Sequence, residues 1–235
     1  MRAIILAGGL GVRLRPLTYS IPKPLLPVGE KPILEMIVEK LKSSGFSDFI
    51  FAVGYRAELI ETYFKNGAKF GVSIHYVRED ERSGTAGPLA LVRERFEFHE
   101  GESFLLMNGD IITKLDFARF VEQHRLNGDE ITVAVRKYKA CVPFGVLDVS
   151  EGKVTGMIEK PVTIHDISAG IYLMRSSVLK DIPSVGTSFD IPDLIRKLLS
   201  EGRQVGAYAF DEYWLAVDQL HDIEEASNHL EKWLE

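Results

Sequence analysis

The sequence predicts an α/β fold organised around a mainly parallel sheet. Short apolar runs at 3–7, 49–53 and 104–107 alternate with segments of helical spacing. Apolar runs bounded by turn residues are typical of strands that are covered on both faces. Alternating strands and helices favour a parallel sheet with helices packed against it. At 235 residues the chain is expected to form one domain with a sizeable core.

Helices in the first half are indicated by apolar spacing and by the residues that follow them. The segment from Ile33 to Lys42 repeats its apolar positions with helical periodicity and runs into Ser43-Ser-Gly45. Similar patterns predict helices at 57–64 and 86–95, with a strand between them at 72–77.

The second half of the chain is richer in strand patterns. Gly152, between two apolar runs, favours a hairpin. We expect residues near 140 to 190 to form a lobe over a ligand. The predicted extended segments are 131–136, 146–149, 154–158, 170–174 and 205–210, and the predicted helices are 191–199 and Asp222 to Trp233.

Composition limits the classes of partner. A net charge of −6 argues against binding to nucleic acid or to an anionic membrane surface. The apolar run at the N-terminus ends at Ala7, too short for a signal peptide, and no stretch approaches the roughly 20 apolar residues of a membrane span. We therefore expect a soluble, cytoplasmic protein. The single cysteine, Cys141, has no internal disulfide partner, and we expect it to be buried and not nucleophilic.

A glycine-rich turn follows the first strand, in the segment from Leu6 to Gly11. Glycine permits positive φ angles and a close approach of the backbone to a ligand, and freed amide groups suit phosphate oxygens. Arg13, Arg15 and Lys23 follow, which indicates a nucleoside triphosphate site. The spacing matches neither the dinucleotide fingerprint nor the P-loop, so the glycines alone fit an ordinary tight turn equally well.

Asp110 follows the buried strand at 104–107 and is expected at the carboxyl-terminal edge of the sheet. Ligands of open α/β sheets bind at that edge, and Mg²⁺ prefers carboxylate and phosphate oxygens. Taken alone, Asp110 is better explained as the aspartate of a turn.

The string Leu6-Ala-Gly-Gly-Leu-Gly-Val-Arg-Leu-Arg-Pro-Leu-Thr18, followed by Pro22-Lys-Pro-Leu25, resembles the signature of the sugar-1-phosphate nucleotidyltransferases, the nucleotide-sugar pyrophosphorylases. The resemblance implies a Rossmann-like three-layer α/β/α fold, with a mainly parallel mixed sheet and a small strand-rich sugar-binding lobe. It implies Mg²⁺-assisted transfer of a nucleoside monophosphate to a sugar 1-phosphate, as in polysaccharide biosynthesis. A homodimer is a further expectation from the family.

The resemblance also assigns roles to residues along the chain. Arg13 and Lys23 would be catalytic, meeting the triphosphate and the departing pyrophosphate. Asp110 would bind the metal. The nucleotide would contact Leu6, Ala7, Gly8, Gly9 and Gly11, and the sugar phosphate would contact Asn108, Gly145, Glu159 and Lys160.

The segment from Arg82 to Leu91 contains Gly-Thr-Ala-Gly-Pro-Leu and resembles a loop of the mannose-1-phosphate guanylyltransferases. In this interpretation Gly84 and Thr85 lie near the base, and Glu79 or Asp80 accepts hydrogen bonds from guanine. Among the common bases only guanine offers that paired donor edge. Thr85 can instead, or in addition, cap a helix. A uridylyl- or thymidylyltransferase remains the nearest alternative.

Two positions depart from the family pattern. Ala216 stands where the second metal-binding aspartate usually lies, and we expect Asp218, two residues later, to replace it. If it does not, a non-catalytic nucleotide-sugar-binding regulator is the alternative. Ser168 stands where asparagine usually contacts the sugar, which leaves the identity of the sugar open.

Overall fold

A computed structural model describes residues 1–230 of the chain and contains a seven-stranded mixed sheet with three small two-stranded sheets. The strands are β1 (Arg2–Ala7), β2 (Pro27–Val28), β3 (Lys31–Pro32), β4 (Asp48–Val53), β5 (Ser73–Arg78), β6 (Ser103–Asn108), β7 (Ile111–Thr113), β8 (Ile131–Cys141), β9 (Val146–Ser150), β10 (Lys153–Ile158), β11 (Val162–Arg175), β12 (Val205–Ala209) and β13 (Trp214–Ala216). The helices are α1 (Ile33–Ser43), α2 (Ala57–Phe64), α3 (Pro88–Arg95), α4 (Phe117–Asn127), α5 (Ile191–Ser200) and α6 (Leu220–Leu230).

The order of the main sheet is β12-β8-β11-β6-β1-β4-β5. Strand β1 lies next to the central strand β6 and pairs in parallel with β4 and β6, while β5 and β12 are also parallel to their neighbours. Only β11 runs antiparallel, between β6 and β8. This arrangement confirms the predicted mainly parallel mixed sheet.

Successive side chains of the central strands enter two separate apolar cores. Ile5 of β1 and Phe51 of β4 pack with residues of α1, α2, α4 and α6, whereas Ile4 and Ile50 pack with residues of α3 and α5. Because neighbouring side chains of a strand point to opposite faces, helices cover both sides of the sheet and complete the three layers. None of the described helices combines the length and apolarity needed to cross a membrane.

Several boundaries differ from the sequence prediction. The helix predicted from 86 begins at Pro88, and helix α4 was not predicted. The Asp116 carboxylate caps α4 through the N–H groups of Ala118 and Arg119, and Gly128 ends the helix at a φ of 73°. The last helix begins at Leu220, and positions 231–233 of its prediction lie outside the described residues.

Part of the predicted lobe projects from the sheet. Beyond Val135, β8 and β11 continue as a paired ribbon, and β9 and β10 form the predicted hairpin with Gly152 at a φ of 76°. From Ala169 onward β11 is buried in the main sheet, so that stretch belongs to the core and not to the projection. Cys141 lies exposed at the end of β8, so its predicted burial is wrong: it ends a ribbon edge with no core beneath it.

Candidate active site

A cleft of about 320 Å³ opens at the carboxyl-terminal ends of the central strands β1, β4, β5 and β6. That edge is the usual ligand position in open α/β sheets. The cleft is lined by most of the residues that the sequence assigned to the nucleotide, together with others that it did not: Leu6, Gly8, Gly9, Ala52, Glu79, Arg82, Ser83, Gly84, Thr85, Pro88, Asn108 and Asp110.

The glycine-rich turn lies tightly against its neighbours. A Cβ atom on Gly8 would come within 3.2 Å of Glu79 Oε2, and one on Gly11 would come within 2.8 Å of the Thr18 methyl group. Gly11 has a φ of 58°, and its carbonyl accepts a hydrogen bond from the Thr18 hydroxyl at 2.8 Å. The positive φ and the close Thr18 contact favour glycine at position 11, whereas a side chain at position 8 would require a small shift of Glu79. The predicted close approach of this turn to a ligand stays a prediction. Ala7 is buried beneath the turn.

A cluster of charged side chains lies at one side of this cleft. Lys23, with only 10% of its side chain exposed, places its Nζ 2.5 Å from Asp110 Oδ2 and 2.8 Å from Asp218 Oδ1. The Arg13 guanidinium reaches the same Asp218 oxygen at 3.1 Å. Arg15 instead lies over the Tyr19 ring, 4.9 Å from its centroid. Two cations and two carboxylates from distant parts of the sequence therefore meet at the end of β6.

Backbone pairing brings Asp218 to this cluster. Strand β13 pairs with β7, which places Ala216 opposite Ile111, and the next residue, Val217, donates its N–H to the Asp110 carbonyl at 2.9 Å. The turn that follows is fixed by Asp222, whose Oδ2 accepts from the N–H groups of Asp218 and Gln219 at 2.7 and 2.6 Å. The Asp222–Gln219 bond is half of a capping box for α6. Asp218 and Asp110 thereby share the Lys23 ammonium, while the role of Asp218 as a replacement for the Ala216 position stays a prediction.

The two carboxylates fit a divalent cation. Asp110 Oδ1 is buried and has no hydrogen-bond partner among the described residues, while Asp110 Oδ2 and Asp218 Oδ1 share the Lys23 ammonium. A buried carboxylate oxygen without a donor favours a hard cation. No group of three or more His, Cys, Asp or Glu side chains within residues 1–230 could hold a metal. Two protein ligands suit Mg²⁺, which usually takes its remaining ligands from water and phosphate.

Glu79 lies beside Gly8 in the cleft and is half-buried. Its Oε1 accepts from the Ser83 hydroxyl at 2.5 Å and from the Ser83 N–H at 3.3 Å. Burial raises the pKa of the Glu79 carboxyl, although the Ser83 hydrogen bonds and the charge of Arg82 oppose that shift. Asp80 is exposed and lines a different cleft. Of the two predicted carboxylates, Glu79 is the one at the candidate nucleotide site.

The loop at 83–87 is anchored to the start of α5. Thr85 donates its N–H and its hydroxyl to Asp190 Oδ1 at 2.8 and 3.0 Å, and its hydroxyl oxygen accepts from the Ile191 N–H at 2.9 Å. Gly84 has a φ of 82°, and a Cβ there would meet the Phe189 carbonyl at 2.6 Å. Thr85 therefore does not cap its own helix: α3 begins after Gly87 without a side-chain cap. It serves α5 instead.

The residues predicted for the sugar phosphate divide between the sheet and the projecting ribbon. Asn108 lies at the end of β6, beside Gly170, where a Cβ would be 2.7 Å from its Nδ2. On the ribbon, a Cβ on Gly145 would be 2.9 Å from Glu159 Oε2, so Gly145 and Glu159 are neighbours. Lys160 is exposed and has a φ of 44°, an uncommon conformation for a residue with a side chain. These roles stay predictions.

Ser168 lies where β11 bulges away from β8. Its hydroxyl donates to the Tyr172 hydroxyl at 2.8 Å and accepts from the Gly170 N–H at 3.3 Å. Tyr172 and Asn108 line a second cleft of about 350 Å³ next to the first. Ser168 is thus joined to a residue that borders the expected sugar side.

Sequence reasoning missed four residues that shape the site: Arg82, Ser83, Asp190 and Asp222. Asp222 carried a signal, because an acidic residue in the first turn of a helix commonly caps it. The sequence contains no such signal for Ser83, because its hydrogen bond to Glu79 depends on the fold of the loop.

The family model described as nucleotidyl transferase matches residues 2–233. A probable mannose-1-phosphate guanylyltransferase 2 from Oryza sativa subsp. japonica is 37% identical over 229 residues. The alignment covers 94% of this chain and 62% of that protein. A mannose-1-phosphate guanyltransferase from Yarrowia lipolytica is 38% identical over 230 residues, covering 95% of this chain and 62% of that protein. The chain thus spans a little over three-fifths of the length of these relatives.

Similar solved structures share the fold. A crystal structure of a protein assigned as a glucose-1-phosphate thymidylyltransferase from Bacillus anthracis, in complex with a sucrose, superposes with a TM-score of 0.77. It is 28% identical, and the match covers 97% of this chain and 94% of that one. HddC from Yersinia pseudotuberculosis, complexed with GMP-PN, is 24% identical with a TM-score of 0.75, covering 97% and 99% of the two chains.

Proposed function

Because the chain belongs to the nucleotidyl transferase family, as the resemblance of its first segment indicated, we propose that it transfers GMP from GTP to a sugar 1-phosphate. The products are a GDP-sugar and pyrophosphate. The observation that carries this proposal is the meeting of Lys23 and Arg13 with Asp110 and Asp218 beside the glycine-rich cleft. The curated relatives are named as guanylyltransferases of mannose 1-phosphate, which supports guanine and a hexose phosphate.

Glu79 supports guanine as the base. Its Oε2 faces Gly8, while Ser83 occupies Oε1 from the other side. A carboxylate that is held in place this way can accept from the N1–H and N2–H₂ groups of guanine. Adenine, uracil and thymine offer no such donor pair, so ionised Glu79 discriminates against them.

The reaction needs alignment and charge neutralisation more than a nucleophile from the protein. An ionised oxygen of the sugar phosphate attacks the α-phosphorus, and the bond to the bridging oxygen breaks, so that pyrophosphate leaves with the electron pair. Arg13 and Lys23 neutralise the charge that develops on the leaving group. Lys23 is preorganised for this role because two carboxylates fix its ammonium.

Asp110 and Asp218 are the residues that would hold Mg²⁺, since the buried Asp110 Oδ1 lacks a donor. When bound, Mg²⁺ would supply Lewis-acid neutralisation of phosphate charge. Asp222 contributes by fixing the backbone at Asp218.

On the acceptor side, we propose that Glu159 contacts sugar hydroxyls and that Lys160 contacts the sugar phosphate, with Asn108, Gly145 and Ser168 nearby. The positive φ of Lys160 is consistent with a functional constraint at that position. We further propose that the protein acts in the cytoplasm, where its proposed substrates are available.

The test is a pyrophosphate-release assay with GTP, Mg²⁺ and a panel of sugar 1-phosphates, repeated with UTP, dTTP, CTP and ATP. Release with GTP, its loss in Asp110→Asn and its retention in Asp211→Asn, an exposed carboxylate of the same chain, are the expected results. Release only with UTP or dTTP would contradict the guanine assignment. Nucleotide-sugar binding without pyrophosphate from any combination would instead identify a non-catalytic regulator.

A further inference from the structure

The segment from Gly9 to Pro22 carries Arg13 and precedes Lys23, yet it contains little regular structure. Short 3-10 turns at 12–14 and 17–19 are its only elements, and most of its residues are exposed. Leu14 is buried, and the Thr18 hydroxyl bonds to the Gly11 carbonyl at 2.8 Å. Tyr19, Ser20 and Ile21 are exposed. A segment of this kind needs support from outside if it is to hold a catalytic cation in place.

That support comes from the turn between β4 and α2. Arg56 donates from Nη2 to the Tyr19 carbonyl at 2.7 Å, and the Tyr55 hydroxyl donates to the same oxygen at 3.2 Å. Arg56 Nε also donates to the Tyr55 hydroxyl at 3.3 Å, so the three groups form a closed triangle. One carbonyl of the loop therefore receives two donors from one turn.

The same turn also touches the beginning of the loop. The Tyr55 N–H points to the Gly8 carbonyl at 3.5 Å, and a Cβ on Gly54 would lie 3.2 Å from that carbonyl oxygen. The turn thus contacts the loop at Gly8 and again at Tyr19, on either side of Arg13.

Arg56 makes its contact from a backbone conformation that its side chain disfavours. It lies at φ 51° and ψ 40°, in the left-handed region, at the start of α2 and without a side-chain cap. Glycine or asparagine is the usual residue there. A substitution to glycine would relieve this backbone strain. Because an arginine stands there instead, we infer that its side chain has a role.

We propose that Arg56 is a positioning residue that fixes the Gly9–Pro22 loop so that Arg13 and Lys23 meet the triphosphate. This proposal rests on the proposed function for the identity of the ligand. The clamp itself, a guanidinium and a phenol on the Tyr19 carbonyl, can be tested without any turnover.

The test compares Arg56→Gly with Lys65→Gly. Lys65 lies at the other end of α2 and also has a positive φ of 48°. Its described hydrogen bonds join it to Glu61 and Tyr76, outside the loop. Both substitutions remove a cation and relieve backbone strain, but only the first removes the clamp. Trypsin cleaves after Arg13 but not before proline, so Arg15-Pro16 and Lys23-Pro24 resist it. The appearance of the Arg13–Leu14 cleavage product therefore measures opening of this loop.

We expect Arg56→Gly to keep or raise the unfolding temperature, yet to be cleaved at Arg13–Leu14 roughly tenfold faster, with Lys65→Gly cleaved at the native rate. In the pyrophosphate assay, Arg56→Gly should raise the KM for GTP roughly tenfold or more. Unchanged cleavage in Arg56→Gly, or equal acceleration in both variants, would overturn the proposal. If the native chain releases no pyrophosphate, the proposed function fails while the cleavage comparison still decides the clamp.

Discussion

The N–H of Val217 donates to the carbonyl of Asp110 at 2.9 Å, which ties the end of β13 to the end of β6. This one backbone bond decides which residue of the second segment faces the first carboxylate. The residue after Val217 is Asp218, and its Oδ1 shares the Lys23 ammonium with Asp110. We propose that Asp218, two residues after Ala216, takes the place of the aspartate that the family pattern has there.

Asp218→Ala should lower pyrophosphate release at least about a hundredfold, because a charge that is preorganised at the reacting phosphates is lost. Adding Ala216→Asp to that variant should not restore activity, since Ala216 is fixed by pairing with Ile111 before the turn that delivers Asp218. Recovery in the double variant would show that position 216 supplies the ligand and that the assignment of Asp218 is wrong.

Lys23→Ala should lower release by roughly a thousandfold and also destabilise the metal-free protein by about 1–3 kcal/mol, because Asp110 would lose its cation and Asp218 would keep only the exposed Arg13 guanidinium. Mg²⁺ should raise the unfolding temperature of this variant more than that of the native chain. Calorimetric melting with and without Mg²⁺ measures both effects. An equal response to Mg²⁺ in the two proteins would argue against a metal between these carboxylates.

The base preference should depend on pH through Glu79. Its carboxyl pKa is raised above the ordinary value of 4.5 by burial, and guanine requires the ionised form. The affinity for GTP should therefore be highest at pH values well above the raised pKa of Glu79, and it should fall as the pH is lowered through that pKa. Glu79→Gln should lower the affinity at neutral pH about ten- to hundredfold and remove this dependence. Titration calorimetry from pH 7.5 to 4.5 makes the measurement, and a native chain with a flat profile would contradict the role.

Ser168→Ala should raise the KM for the sugar 1-phosphate several-fold and leave the KM for GTP unchanged. The reason is that Tyr172 loses the donor that orients its hydroxyl beside Asn108. Tyr172→Phe, which removes the other partner, should have the same effect. A change in the KM for GTP in either variant would show that this pair acts on the nucleotide side.

Lowering the pH should destabilise the fold through His124. Burial is the main cause that lowers the pKa of its imidazole; the charge of Arg175 lowers it further, and the charge of Asp129 opposes the shift. Its ring nitrogens lie 2.7 Å from Thr132 Oγ1 and 3.1 Å from Ser103 Oγ. Because the folded state keeps the imidazole neutral, the unfolded state takes up the extra proton as the pH falls below about 6.5. Stability is full above that pH and declines below it.

His124→Gln should therefore show a smaller drop in unfolding temperature between pH 7.5 and 5.5 than the native chain, while being less stable at both. His165→Gln, at an exposed position of the ribbon, should keep the native pH dependence. If His124→Gln showed the same drop in unfolding temperature as the native chain, His124 would not be the cause of the acid destabilisation.

The sheet was predictable because its strands are short apolar runs whose character does not depend on distant contacts. Helix α4 was missed although Asp116 and Gly128 carry ordinary start and stop signals, because polar residues interrupt its apolar face. The exposed end of β8 was also missed, although Arg136, Lys137 and Lys139 precede Cys141 there. Cys141 was expected to be buried because that is usual for the residue type.

The site was predictable only in part. The glycine turn, Lys23 and Asp110 lie in recognisable local motifs, whereas the contact of Lys23 with Asp218 joins positions 195 residues apart. Spacing along the chain contains no information about such a contact. The pairing of β13 with β7, which creates it, involves only three residues on each strand and has no clear pattern.

Strand β11 is continuous for 14 residues, from the exposed ribbon into the middle of the sheet beside β6. The same strand therefore joins the region proposed to contact the sugar to β6, which ends at Asn108. If the ribbon moved over an acceptor, β11 would have to bend at the bulge between Ser168 and Tyr172, where Gly170 has a φ of 70°. That bulge lies next to the carboxyl-terminal edge of the sheet. A small rotation at the bulge would therefore displace Glu159 and Lys160 by a larger distance.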